Sequence, residues 1–410
     1  MVMVRASSAP ILDRSCRKRK RRSTAPWTRC SSTTSSCPAS WSTATWRYTL
    51  VLGTSGSAAH SSAVVRVRPP DMACTMRKRT GCSISSRMFT DPYSHIWYHS
   101  QNWESKRREH PVNHQPPLGR LVEVDGRQLW THISGDRGPT VVILPGGGTI
   151  GLDYLNLHDK VAETATSVLY DRAGTGFSDP AELPRGSAEV VEELRGLLRA
   201  AELPGPYVFI GHSLGGCYAR DYAHRHPDEV AGLLLLDPAH EDLRKYMPAE
   251  LTKRWDAFVA AADAAPELPA EVIEFYRAGL TENFDSWPSD IRDAIVDYHV
   301  GPVGLRTGML ESSNIKRLNE EMRAMGPLPR LPVIVMTSMG IDEFKRAVST
   351  GIPEDLLLKE LEGKRRLYDD LVAGVPTAEN RLVPDAGHVT IYTVGYDLVC
   401  AAIDDLLAKV

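Results

Sequence analysis

From Gly119 onward, short apolar runs alternate with amphipathic stretches. Val122 and Val124, the Asp125-Gly126 pair, then Leu129, Thr131 and Ile133 follow a period of two, which predicts a β-hairpin with a tight turn. Five continuous apolar runs come next: Val141 to Leu144, Val168 to Tyr170, Tyr207 to Ile210, Leu233 to Leu236 and Val333 to Met336. A sixth and weaker run is Arg381 to Val383. Strands that are apolar at every position are buried on both faces, so the pattern predicts an α/β fold with a mostly parallel central sheet and helices on both faces. Two of the covering helices are visible as stripes, one through Val190, Val191, Leu194, Leu197 and Leu198, the other through Val399, Ile403, Leu406, Leu407 and Val410.

About 95 residues separate Asp237 from Val333, where a simple crossover needs a single helix. Apolar residues within that stretch fall at helical spacing, for example Leu251, Trp255, Phe258 and Val259, then Ile291, Ile295 and Tyr298. The expected organisation is therefore a core of residues 119–240 and 331–410, with a helical cap of residues 241–330 inserted between the sixth and seventh strands. Such a cap cannot bury its apolar faces alone, and the C-terminal edge of the sheet, where open α/β sheets place their ligands, is where it should lie.

Residues 1–118 follow neither rhythm. From Met1 to Thr90, 28 residues are Ser or Thr, and a run of six cations spans Arg17 to Arg22. The segment is expected to be a disordered basic extension without a packed domain. No apolar core follows its charges as a secretory signal requires, and a cytoplasmic location is expected. Five of the eight tryptophans lie within residues 1–110, which is unlike selected disorder; one explanation is that much of the segment is not a genuine coding region, which predicts an internal start such as Met88.

Charge divides the chain at the same place. Residues 1–110 hold 19 basic and 5 acidic side chains, a net of +14, which leaves −17 for residues 111–410 of a chain whose total is −3. A body that acidic repels phosphate backbones, so nucleic acid is not expected as its partner. No apolar run reaches the roughly 18 residues of a membrane span. Seven cysteines without a C-x-x-C pair support neither a disulfide framework nor a zinc site, and no metal is expected.

The chemistry lies at strand ends. Gly211-His212-Ser213-Leu214-Gly215 follows one apolar run and opens a helix of small residues, the strand-turn-helix setting in which a G-x-S-x-G turn lifts a serine clear of a sheet. Side chains at Gly211 or Gly215 should collide with the neighbouring strand and helix. A serine hydroxyl needs a base, and His388, in Pro384-Asp385-Ala386-Gly387-His388, stands on a glycine-flexed loop between the sixth run and the terminal helix. An oxyanion formed at Ser213 should meet the Leu214 N–H and a second donor from the glycine loop Pro145-Gly146-Gly147-Gly148, with Gly147 the best placed. Two aspartates, Asp237 and Asp342, follow strands at the edge where a third catalytic group must sit; Glu343 ranks third.

These pieces, together with Tyr170-Asp171-Arg172-Ala173-Gly174-Thr175-Gly176-Phe177-Ser178-Asp179, resemble the α/β-hydrolase fold superfamily, of the serine hydrolase or esterase type with a helical lid. The resemblance covers residues 119–410 and departs at Pro145, where many relatives carry histidine. It implies a Ser-acid-His triad and no cofactor. The usual arrangement of the fold places the acid after the strand that follows the cap, which favours Asp342 over Asp237. Serine at the elbow, where aspartate serves dehalogenases and most epoxide hydrolases, disfavours those activities. The function expected is cleavage of a carboxylic ester or related lactone, thioester or amide through an acyl-Ser213 intermediate, with acyl transfer or ligand reception in the same pocket as alternatives. The cap, with 16 acidic and 11 basic residues, has no clamp for a polyanion, so the expected partner is a small neutral, partly apolar acyl substrate.

Overall fold

The computed structural model describes residues 45–54, 57–66, 116–262 and 269–410. Two units are distinguished, residues 1–91 and 92–410. In the first, β1 (Thr45–Thr54) and β2 (Ser57–Arg66) form an antiparallel hairpin, a local pairing within the segment expected to hold no packed domain. The cation run Arg17 to Arg22 and Met88 lie outside the described residues.

The second unit carries an eight-stranded sheet. Its hairpin is β3 (Arg120–Val124) and β4 (Arg127–Ser134), turned through Asp125 and Gly126, both at positive φ. Two successive residues at positive φ make the turn whose twist matches the strands, which is why Asp-Gly sits there. The chain continues through β5 (Thr140–Leu144), α1 (Leu155–Ala162), β6 (Thr166–Tyr170), α2 (Ser187–Ala200), β7 (Tyr207–His212), α3 (Leu214–Arg225) and β8 (Val230–Leu236). Six helices follow: α4 (Leu243–Tyr246), α5 (Ala249–Ala262), α6 (Ala270–Asn283), α7 (Ser289–Val300), α8 (Pro302–Ser313) and α9 (Ile315–Met325). The chain then returns as β9 (Val333–Ser338), α10 (Glu343–Val348), α11 (Glu354–Ala373), β10 (Ala378–Val383) and α12 (Tyr396–Leu407).

The strand order is β10-β9-β8-β7-β5-β6-β4-β3, parallel from β10 to β6 and antiparallel at β4 and β3. Each of the six apolar runs lies in one of the parallel strands. Their alternation sorts the core into two layers. Val142, Leu144, Phe209, Leu233, Leu235 and Val335 pack with α2, α3 and α11 on one face, while Val141, Ile143, Ile210, Leu234, Leu236 and Ile334 pack with α1 and α12 on the other. Each such side chain taken fully out of water contributes about 1.5–3 kcal/mol, so neither face tolerates a polar register. In β4, Leu129, Trp130 and Thr131 are all fully buried, which breaks the expected alternation. Leu129 belongs to the first core layer and the Trp130 indole to the second, where it donates Nε1–H to the Leu118 carbonyl at 2.7 Å and lies beside the Phe177 ring.

The helices between β8 and β9 bond to loops that leave the C-terminal ends of β5 and β6. Trp287 donates to the Leu152 carbonyl at 3.0 Å, His299 meets both Asp153 carboxylate oxygens at 3.0 Å, and the Gly176 N–H donates to the Tyr298 hydroxyl at 3.0 Å. Phe284, Trp287, Ile291 and Ile295 extend one of the two core layers into this cap.

Candidate active site

Ser213 stands between β7 and α3 at φ 50° and ψ −115°, a backbone conformation that costs a non-glycine residue on the order of 1–3 kcal/mol. Its neighbours explain how it is held there. A Cβ on Gly211 would lie 2.7 Å from the Gly215 carbonyl oxygen, and one on Gly215 would lie 2.1 Å from the Leu144 carbonyl oxygen, so strand and helix close on the turn from both sides. The Ser213 N–H donates to the Leu236 carbonyl at 3.0 Å, pinning the turn to β8.

His388 Nε2 lies 3.0 Å from Ser213 Oγ, and its Nδ1 lies 2.6 Å from Asp237 Oδ2. A carboxylate beside Nδ1 fixes the proton on that nitrogen and leaves Nε2 as an acceptor aimed at the serine hydroxyl. The imidazole is 46% exposed and the Asp237 carboxylate 2%. Burial alone would push the Asp237 carboxyl up, but the Lys364 ammonium and the His388 hydrogen bond outweigh it and hold the group well below the usual carboxylate range.

Asp342, the acid favoured from the sequence, does not touch the ring. Its Oδ1 accepts the Lys345 N–H at 2.7 Å and caps α10, while its Oδ2 accepts the Thr390 hydroxyl at 2.6 Å. Thr390 in turn accepts the Gly387 N–H at 2.9 Å, so Asp342 braces the loop that carries His388. The reason lies in the strand order. His388 follows β10 and Ser213 follows β7, so a ring that reaches the serine crosses the end of β9 and comes to rest over β8, where Asp237 projects at φ 42°. Asp237 also accepts the Ser338 N–H at 3.1 Å, the turn-fixing bond expected of an aspartate before proline. Glu343 is the first residue of α10.

The glycine loop lies against the elbow. A Cβ on Gly147 would meet Leu214 at 3.4 Å. The N–H groups on either side are occupied, Gly146 donating to the Tyr154 hydroxyl at 3.0 Å and Gly148 to Glu311 Oε2 at 2.6 Å. Among the described residues no acceptor meets the N–H of Gly147 or of Leu214. Two carbonyls of the same loop, Pro145 and Gly146, receive Arg172 Nη1 and Nη2 at 2.7 and 2.8 Å. The Arg172 guanidinium, fully buried, also meets Glu311 at 2.9 Å through Nε and 3.0 Å through Nη2. Glu311 belongs to α8, whose backbone approaches the loop so closely that a Cβ on Gly148 would sit 2.7 Å from the Gly308 Cα.

A second set of contacts joins the glycine loop to the histidine loop. His212 Nε2 lies 2.9 Å from the His388 carbonyl, which can only accept, so Nε2 carries the proton and Nδ1 accepts the Tyr154 hydroxyl at 2.7 Å. This single tautomer satisfies every partner, and burial, with His388 close by, lowers the His212 pKa to about 3, which keeps the ring neutral. In the G-x-S-x-G pattern His212 fills the variable position. Tyr154, Glu311 and Lys364 carried no motif signal at all; Arg172 lay within a recognised motif without an assigned role.

Asp171, in the same motif, accepts the Gly151 and Phe177 N–H groups at 2.7 and 2.8 Å and shapes the loop after β6. Among the described residues no group of three His, Cys, Asp or Glu side chains is arranged to hold a metal ion, and no helix is long and apolar enough to cross a membrane.

A family model described as the alpha/beta hydrolase fold matches residues 139–303. Over 139 residues the chain is 32% identical to the uncharacterized protein YqjL of Bacillus subtilis, covering 33% of this chain and 55% of that one. Over 143 residues it is 32% identical to the human (lyso)-N-acylphosphatidylethanolamine lipase, covering 33% and 41%. The matched segments span from about a quarter to just over half the length of such curated relatives. Among solved structures, an epoxide hydrolase variant of Vigna radiata superposes with a TM-score of 0.51 at 16% identity, over 71% of this chain and 98% of that one. Strand order, elbow and family match agree: the chain carries the α/β-hydrolase fold, with the family match running over residues 139–303.

Proposed function

We propose that the protein is a serine hydrolase acting on a carboxylic ester or a closely related acyl bond. The observation that carries this reading is the aligned series Ser213 Oγ, His388 Nε2, His388 Nδ1 and Asp237 Oδ2, with separations of 3.0 and 2.6 Å at its two hydrogen bonds. His388 takes the serine proton as Oγ attacks the acyl carbon, and Asp237 stabilises the imidazolium that results. Negative charge developing on the acyl oxygen is received by the N–H groups of Gly147 and Leu214, which have no acceptor among the described residues. The imidazolium then protonates the leaving alcohol. Water repeats the sequence on acyl-Ser213, and the 46% exposure of the histidine supports hydrolysis over transfer to another acceptor.

A serine in the elbow separates this chain from chemistry that needs a carboxylate nucleophile, so the likeness to an epoxide hydrolase is one of fold. The name of the human relative, a lipase, supports the ester class. The substrate proposed is a neutral, partly apolar acyl compound. Hydrolysis of p-nitrophenyl esters of increasing acyl length tests the reading: turnover that is absent in Ser213→Ala supports it, and no turnover of any ester by folded protein removes it.

A further inference from the structure

Asp237 serves two partners. One is His388, whose Nδ1 lies 2.6 Å from Oδ2; the other is the Lys364 ammonium, 2.9 Å from Oδ1 and 2.9 Å from Oδ2. Lys364 stands on α11, near no sequence motif, and its side chain is 13% exposed. The same nitrogen donates to Ser338 Oγ at 2.6 Å, so the ammonium is fixed between the ends of β8 and β9. Its neighbour one turn earlier, Glu360, is turned away onto Lys345 at 2.7 Å. The Asp237 carboxylate is therefore the anion that answers Lys364, and the imidazolium formed during reaction draws on the same charge.

We propose that Lys364 sets the pH below which the Ser213–His388 pair stops working, by competing with the imidazolium for the carboxylate of Asp237. The proposal rests on the serine hydrolase reading above. The groups that face His388 are few. Asp237 comes from the end of β8, His212 from β7 with ring centroids 5.0 Å apart, and Asp342 braces the loop through Thr390 without reaching the ring. His212 is neutral, so its ring cannot replace the ammonium. Lys364 is thus the fixed positive charge held on the orienting acid. A cation there disfavours a second cation on the ring, so more acid is needed to protonate the base and the enzyme keeps working at lower pH. The role is one of positioning and tuning through Asp237; the lysine touches no reacting atom.

The test is the pH profile of kcat/KM for p-nitrophenyl butyrate in the wild type, Lys364→Gln, Lys364→Met and Lys364→Arg, with the His388 ring protons followed by NMR in the same proteins and assigned by their loss in His388→Gln. The neutral variants are expected to move the acid limb and the ring titration up by roughly one pH unit while the plateau stays within a few fold, and Lys364→Arg is expected to leave both in place. An acid limb and ring titration unmoved in either folded neutral variant overturns the proposal. So does failure of both neutral variants to fold while Lys364→Arg folds, because the lysine would then be a tie between strand ends. Activity retained in Ser213→Ala would sink the underlying hydrolase reading instead, whereas an inactive Ser213→Ala beside an unmoved limb rejects the Lys364 proposal alone.

Discussion

Glu311 and Arg172 form a two-pronged ion pair, at 2.9 and 3.0 Å, between a cap helix and the loop that follows β6. Both side chains are almost wholly shielded from water, and Glu311 also accepts the Gly148 N–H. Removing one member of such a pair strands the other charge in the interior. Glu311→Ala is therefore expected to cost about 3–5 kcal/mol of stability and to lower activity by loosening the glycine loop. Glu311→Gln, which keeps an acceptor for Gly148, should cost less. Thermal unfolding of the two variants beside the wild type checks this; equal melting temperatures for Glu311→Ala and the wild type would contradict it.

In the proposed mechanism nucleophile and base act as a unit, so Ser213→Ala and His388→Ala should each lower ester hydrolysis by roughly 10⁴-fold or more, leaving only binding and the proposed oxyanion donors. Circular dichroism confirms that the fold survives. A variant that keeps more than about a tenth of the wild-type rate contradicts the mechanism.

The two aspartates should part company. Asp237→Asn is expected to lose about 10⁴ in kcat, as when an orienting carboxylate no longer enforces the histidine tautomer. Asp342→Asn removes a cap from α10 and weakens the Thr390 brace, so it should lower stability by about 1 kcal/mol and leave most of the activity. Steady-state kinetics and melting curves of both proteins, measured together, decide it; an inactive Asp342→Asn beside an active Asp237→Asn reverses the assignment.

Acid stability should respond to His158. Burial, and to a smaller extent the neighbouring His132, lowers its pKa from 6.5 to about 3, and its Nε2 has no partner among the described residues. Below pH 6.5 the unfolded chain takes up a proton at this residue that the folded chain refuses until about pH 3, so the contribution is complete above pH 6.5 and is lost progressively as pH falls through that interval. His158→Gln removes the titrating group. The melting-temperature advantage of the wild type over His158→Gln should thus shrink or reverse between pH 7 and pH 4.5, and parallel curves would refute the prediction.

Much of the site could be read before the fold was known, because the elbow, the glycine loop and the histidine loop are local devices. Gly211 and Gly215 are required by contacts within a few residues or on the adjoining strand, and such requirements leave a motif. The choice between Asp237 and Asp342 was of another kind. Both follow strands at the same edge, and which one meets the ring depends on how far the imidazole must reach across β9 to find Ser213, a distance set by sheet order. Tyr154, Glu311 and Lys364 act through contacts 58, 139 and 127 positions away. Nothing in their immediate surroundings in the chain distinguishes them from the tyrosines, glutamates and lysines of an ordinary surface. Trp130 misled the alternation rule because β4 finds an indole acceptor and a ring neighbour on the face expected to meet water.

The near-contact of Gly148 with Gly308 bears on how such proteins diversify. The constraint is one-sided: a Cβ on Gly148, itself at positive φ, would lie only 2.7 Å from the facing Cα, so a side chain there would have to be matched by a displaced helix, whereas a Cβ on Gly308 would meet the Gly148 Cα at an ordinary 3.4 Å. In relatives that dock a helix in this way, a side chain at the Gly148 position should come with a displaced helix, while the Gly308 position should accept other small residues. A cap grafted from another family member would be accepted here only if it presents a small residue at that crossing and leaves Gly148 its space, so the cap is less interchangeable than its position as an insertion suggests.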